Sequence, residues 1–221
     1  AILIKENINY KVLNHEGNVF DAQLFAQDDY SELVFLKINS SENYPVASFI
    51  DPNDIKVGTK VVVIGRGFPK AQAIYQFGIL SVKDLAYSIK GSEVGSSEKM
   101  QGVYFLDRNL ANPSLLGGAI VDYHGDVLGI VSQKDNGRNK DTFMIGVDYI
   151  NRIVKEVIEK GSTKKPYLGL YYIPVTKELK TLYNLTREEG ALVWAPNSQQ
   201  GLAVVAGSPA DKAGIKLYDI I

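Results

Sequence analysis

The chain has 221 residues, enough for one large domain or two modest ones. Its 24 basic and 25 acidic side chains leave a formal charge of −1, a balance that argues against nucleic acid or an anionic membrane surface as a partner. A hydrophobic content of 45% with 22% charged residues suits a packed core. No apolar run is long enough to span a bilayer or to read as a signal peptide.

In chain order, Ile8, Tyr10 and Val12 alternate with Asn9 and Lys11, the period-two pattern of a half-buried strand. Segments rich in β-branched and aromatic residues follow at 19–26, 33–38, 61–64, 77–82, 103–106, 118–121, 127–131 and 142–147. Turn formers separate them at 14–18, 51–54, 91–97, 122–126 and 135–139. Short strands at this spacing, with no helices between them, predict an antiparallel barrel or sandwich. A helix is predicted over 148–160, where Ile150, Ile153, Val154, Val157 and Ile158 form one apolar stripe. Asp148 is its expected N-cap and Gly161 its stop. Residues 162–166 read as a linker, with Lys164 and Lys165 solvated. Beyond it the sequence predicts a helix over 176–184 and a strand over 191–195.

The absence of cysteine removes disulfides, thiolate catalysis and sulfur-ligated zinc. The two histidines, His15 and His124, both stand in turn sequences, where nothing orients an imidazole against a nucleophile. Gly65-Arg66-Gly67 lacks the third glycine of a dinucleotide fingerprint and the lysine of a P-loop. Asp28-Asp29 and the pair Asp51 and Asp54 lack the spacing of a calcium loop and read as solvated turns. No metal or other cofactor is expected. Residues 112–120 are different, because a proline and two adjacent glycines enclose apolar leucines just before a strand. Such a path can hold backbone N–H groups as an oxyanion hole does; the plain alternative is a packed turn without chemistry.

Residues 112–131, NPSLLGGAIVDYHGDVLGIV, resemble the nucleophile region of the HtrA (Deg) family of trypsin-fold serine proteases, approximately NPGNSGGPLV, a turn with DGE, then VIGI. SELVFLKI at 31–38 resembles the family's SDLAVLKI, and KVGTKVVVIG at 56–65 its KVGDWVVAIG. GILS at 78–81, IGVD at 145–148 with the helix after it, PYLGL at 166–170 and GSPADKAGIK at 207–216 continue the likeness in the same order. The resemblance implies a mainly β fold: a trypsin-like double β-barrel, its N-terminal barrel incomplete, over 1–161, a linker at 162–166, and the N-terminal part of a PDZ domain over 167–221.

On this resemblance Leu116 stands where the nucleophilic serine belongs, and a hydrocarbon cannot form an acyl-enzyme. Glu32 stands at the triad aspartate, one methylene too long to orient a histidine in the usual way. The triad histidine is expected upstream of residue 1, and Ser114 replaces a glycine of the oxyanion loop, so Ser114, Leu115 and Gly117 form a degenerate version of it. Loss of a triad member leaves at most about 10³–10⁴-fold acceleration over water, against about 10⁶-fold or more for a working enzyme. Leu116 is expected to pack into the vacated space as an apolar plug.

The resemblance therefore implies a catalytically inactive HtrA-like protein acting by peptide binding or assembly. Its alternatives are an active HtrA-type serine endopeptidase in protein quality control and a purely structural module. For the first, backbone amides around Tyr167, Leu168, Gly169 and Leu170 are expected to receive extended or C-terminal peptides of client proteins by strand addition; the plain alternative for these four residues is a strand entrance. The helix that walls such a groove is expected beyond Ile221. The resemblance also implies assembly as a trimer or with an active relative and an extracytoplasmic location, in the periplasm or cell envelope. It further implies a membrane anchor outside these residues and upstream strands that cover the open edge of the first barrel.

Overall fold

The computed structural model describes residues 8–28, 30–66, 72–83, 94–97, 100, 102–107, 112–135, 140–160, 163, 166–195 and 202–221. The chain divides into two units. Ala1–Leu85, Gly102–Lys134 and Asp141–Lys165 make the first, and Ala86–Gln101, Asp135–Lys140 and Pro166–Ile221 the second.

The first unit opens with a hairpin of β1 (Tyr10–Leu13) and β2 (Val19–Asp28). Asn14 builds its turn, its Oδ1 accepting the N–H groups of Glu16 and Asn18 at 3.0 and 2.8 Å. Gly17 turns the chain at φ 91°, a left-handed conformation that costs glycine nothing sterically. β3 (Leu33–Ile38) completes an antiparallel sheet in the order β1-β2-β3.

The strands that follow are β4 (Lys60–Arg66), β5 (Ala73–Lys83), β6 (Gly95–Ser96), β7 (Val103–Leu106), β8 (Ala119–Val121), β9 (Val127–Asp135) and β10 (Lys140–Gly146). All but β6 close into a barrel in the order β10-β7-β5-β4-β8-β9. The pleat of β4 sends Val61, Val63 and Gly65 inward. There the two valines join Leu80, Leu115, Ile120, Leu128, Val131 and Met144 in one buried cluster. The β8–β9 turn repeats the logic of the first hairpin: Asp122 Oδ1 accepts from the N–H groups of His124 and Asp126 at 2.8 and 3.0 Å. α1 (Val147–Lys160) follows β10 and buries Val147, Tyr149, Ile150, Ile153 and Val157.

The second unit contains β11 (Tyr171–Pro174), α2 (Lys177–Tyr183), β12 (Ala191–Val193) and α3 (Pro209–Lys212). Its sheet runs β12-β11-β6. Thr176 caps α2 by accepting the Leu179 N–H at 3.2 Å, and Asn184 ends it at φ 51°, as a left-handed C-terminal residue does. Trp194 stacks edge-on to Tyr183 and Tyr218, with ring centroids 5.5 and 5.4 Å away. No helix among the described residues is long and apolar enough to cross a membrane.

The strands follow the sequence pattern closely, and the exceptions have identifiable causes. α1 begins at Val147, so Asp148 lies in its first turn and does not cap it. Ile158 is 71% exposed and leaves the stripe, while Tyr149, 3% exposed, joins it. Residues 91–97, composed like a turn, include the strand β6, because backbone pairing with β11 overrides the weak propensity of Gly95 and Ser96. Gly161 and most of the 162–166 linker lie outside the described residues.

Ile120 is fully buried at the centre of the barrel cluster. Ile120→Ala is expected to lower unfolding free energy by about 2–5 kcal/mol, and Tyr75→Ala on the exposed face of β5 by less than about 0.5 kcal/mol. Urea midpoints of the two variants check the contrast.

Candidate functional site

The loop entering β8 is built by backbone bonds. Asn112 begins it by accepting twice: its Oδ1 takes the Ser114 N–H at 3.0 Å and its carbonyl takes the Leu115 N–H at 3.0 Å. Residues Pro113–Leu115 thereby form a single 3-10 turn. Gly117, at φ 75°, donates to the Val131 carbonyl, and Gly118 to the Leu115 carbonyl, each at 2.9 Å. Four N–H groups of this loop, those of Ser114, Leu115, Gly117 and Gly118, thus point to acceptors within the chain.

Two glycines let this loop lie directly on β4. A Cβ at Gly65 would stand 2.4 Å from the Ser114 carbonyl oxygen and 2.8 Å from Leu115 Cα; one at Gly118 would stand 2.2 Å from the Ile64 carbonyl oxygen. The contact drives Leu115 into the barrel core, where it is fully buried, and turns Leu116 outward at 39% exposure. Leu116 is therefore not packed away as the expected apolar plug. It lines an open cavity of about 290 Å³ together with Ser31, Glu32, Gly117, Ser132 and Gln133.

Glu32 reaches that cavity from the turn between β2 and β3, with a left-handed φ of 59°. That conformation costs a non-glycine residue about 1–2 kcal/mol, and a buried cluster holds it in place. Asp28 Oδ2 accepts the Ser31 N–H at 3.0 Å, the Ser31 hydroxyl, and the Tyr149 hydroxyl of α1 at 2.9 Å. Asp28 is 4% and Ser31 3% exposed, so Asp28 is a structural anchor and no solvated turn residue. Burial raises the Tyr149 phenol well above its ordinary value, and the bond to Asp28 adds to the shift.

The structure thus brings Glu32, Leu116 and Gly117 to one cavity, with Ser114 and Leu115 on the loop behind it. Neither His15 nor His124 lines it; both are exposed at their hairpin turns. Among the described residues no group of three or more His, Asp or Glu side chains could hold a metal ion. Sequence reasoning missed the cluster of Asp28, Ser31 and Tyr149, although Tyr149 stands four residues before Ile153 on the same helical face.

In the second unit, Tyr167, Leu168, Gly169 and Leu170 lead into β11. Gly169 takes φ 80° and presses on the cap of α3, where a Cβ would lie 2.4 Å from Ser208 Cβ. The Leu168 carbonyl accepts the Ala210 N–H at 3.0 Å and the Gly169 carbonyl accepts the Val205 N–H at 2.8 Å. Tyr167 and Leu168 remain 51% and 42% exposed.

Residues 4–130 match the trypsin-like peptidase domain family, and the chain belongs to that family. Within it the domain is HtrA/DegP-like. The chain is 29% identical over 225 residues to a probable periplasmic serine endoprotease DegP-like of Bartonella henselae, covering 99% of this chain and 40% of that protein. A protein of the same description from Chlamydia pneumoniae is 30% identical over 223 residues, covering 99% and 42%. The chain thus spans about 40% of the length of these curated relatives. Two structures of the HtrA-type protease AlgW share its fold. One, with a tripeptide, gives a TM-score of 0.70 at 24% identity, covering 96% of this chain and 65% of that one. The other, with a decapeptide, gives 0.65 at 23%, covering 94% and 59%.

Two measurements check the anchoring of the Glu32 turn. Tyr149→Phe is expected to cost about 0.5–1.5 kcal/mol near neutral pH, the net worth of one hydrogen bond. Folding raises the Tyr149 phenol above its ordinary value of 10.0, so its contribution is intact below about pH 10 and is lost as pH rises beyond it. Urea midpoints of the native protein are therefore expected to fall more steeply above pH 10 than those of Tyr149→Phe.

Proposed function

We propose that this chain is a catalytically degenerate HtrA-like protein that binds extended peptides without hydrolysing them. The observation that carries the reading is Leu116: at the position matched to the nucleophile, its branched hydrocarbon faces the cavity where an attacking oxygen would have to stand. Two further observations support it. The Ser114 N–H, matched to an oxyanion donor, is turned onto Asn112 Oδ1, and an oxyanion hole requires that donor to face the reacting carbonyl. Glu32 enters the cavity on a left-handed backbone with no histidine beside it among the described lining residues.

Peptide binding is assigned to the second unit. We read 167–221 as the N-terminal part of a PDZ domain, with Tyr167, Leu168, Gly169 and Leu170 turning into β11, a strand that takes a peptide by backbone pairing. The AlgW structures are those of the protease with a tripeptide and with a decapeptide, and we carry that ligand class, extended peptides, to this chain. Assembly as a trimer or with an active relative belongs to the same reading. The periplasmic description of the relatives supports an extracytoplasmic location, with any membrane anchor in a segment outside these residues. The alternative, an active endopeptidase, draws on the endoprotease description of those same relatives.

The two readings separate on one gel. A fluorophosphonate probe is expected to leave the chain unlabelled and casein uncleaved. Covalent labelling that disappears in Ser114→Ala would overturn the inactive reading. Leu116→Ser alone is expected to stay within about 10³–10⁴-fold of uncatalysed hydrolysis, because a hydroxyl without an oriented base is a weak nucleophile.

A further inference from the structure

We propose that residues 94–97 are a built-in occupant of the peptide-binding edge of β11, a tethered segment that an external peptide must displace. The inference rests on reading that edge as the peptide site.

Within the second unit, β11 is paired with β12 on one side and with β6 on the other. Tyr171 stands opposite Ser96, and Tyr172 opposite Gly95, in antiparallel register. One residue further along, the Ser97 N–H donates to the Leu170 carbonyl at 2.8 Å. The Leu170 N–H in turn donates to Ser97 Oγ at 3.0 Å. In a regular antiparallel ladder that N–H would meet the opposing main-chain oxygen; here a side-chain hydroxyl receives it. Leu170 closes the tetrapeptide whose amides are assigned to a terminal carboxylate, so Ser97 sits where the last residue of a bound peptide would sit. Its hydroxyl stands in for a carboxylate oxygen. Val94, 8% exposed, anchors the other end of the segment.

The occupant is suited to leave. β6 has two residues, and the chain that carries it runs between β5 and β7, so it is tethered at both ends. A tether of this kind holds a segment at an effective concentration on the order of millimolar. Weakly bound peptides are excluded, and the apparent affinity of any peptide is reduced by the fraction of molecules whose edge is free. Two pairings compete for one row of backbone groups, so binding of a peptide and release of residues 94–97 become a single event.

The test uses the full chain and needs no natural ligand. Ser97→Pro removes the N–H that bonds Leu170, and the cysteine-free sequence allows a lock through Ser96→Cys with Tyr171→Cys. Those two form a non-hydrogen-bonded pair, with Cα atoms about 4.5 Å apart, within disulfide range. The probe is a dye-labelled pentapeptide Glu-Val-Gly-Ser-Ser with a free carboxylate, the sequence of residues 93–97, followed by anisotropy. Amide hydrogen exchange at Leu170 and Tyr172 is read in parallel. Ser97→Pro is expected to expose both amides and to bind the probe at least about tenfold more tightly than the native chain. The oxidised lock is expected to abolish binding, and reduction to restore the native level. Equal binding by the locked, native and Ser97→Pro proteins would overturn the occlusion while leaving the peptide site standing. Exposed amides with no probe bound in any state would overturn the peptide site itself. Unchanged protection in Ser97→Pro would overturn the pairing.

Discussion

The contact between the loop at 112–118 and β4 is made by main chain against main chain, and it leaves no room for a side chain on either surface. A Cβ at Gly65 or at Gly118 would come within 2.4 Å of a carbonyl oxygen on the facing strand or loop, far inside van der Waals contact, so both positions admit only glycine. This one approach fixes the rest of the loop. It seats Leu115 in the barrel core, commits Leu116 to the opposite direction, and aligns Gly117 to bond β9. The path of the loop is thus built into the barrel, independently of which side chain stands at its tip.

The residues that pack this loop are therefore separate from those that face the cavity. Core packing depends on Leu115 and the two glycines, whereas Leu116 and Glu32 line the cavity. The two sets share a backbone but few atoms. Substitutions at 116 and 32 therefore cost the fold little, and the strain stored at Glu32 is met by the buried bonds of Asp28, Ser31 and Tyr149 on the other side of the turn. Ser114 fits the same pattern: bonding Asn112 serves the turn, and only an oxyanion would have required the N–H elsewhere.

The division explains what the sequence could reveal. Strands such as β4 and β9 are legible because their apolar runs are bounded by glycine, asparagine and aspartate, and the turns at Asn14 and Asp122 announce themselves by side chains that bond their own backbone. The site positions Leu116 and Glu32 are legible only through the order of surrounding motifs, since neither residue has a chemical signature of its own. The remainder was hidden for physical reasons. Whether Leu116 fills or lines the cavity depends on the direction Leu115 takes, which no periodicity encodes. Asp28 looks like an exposed acid until α1 brings the Tyr149 hydroxyl to it from 121 positions away. Gly95-Ser96 has turn composition, and its strand exists only because β11 offers an edge.

That last case bears on how recognition by backbone pairing works. A strand edge reads few side chains, so any segment with free N–H and carbonyl groups is a candidate partner, including one from the same molecule. An edge left open would pair with copies of itself or with unfolded chains; an edge closed by a long, regular strand would never bind anything else. A two-residue strand ending on a serine lies between these extremes. It pairs with β11 over two residues, opposite Tyr171 and Tyr172. The pairing of Gly95 and Ser96 with β11 is made of main-chain groups, continued by one serine hydroxyl, and is therefore a contact that another backbone segment could imitate.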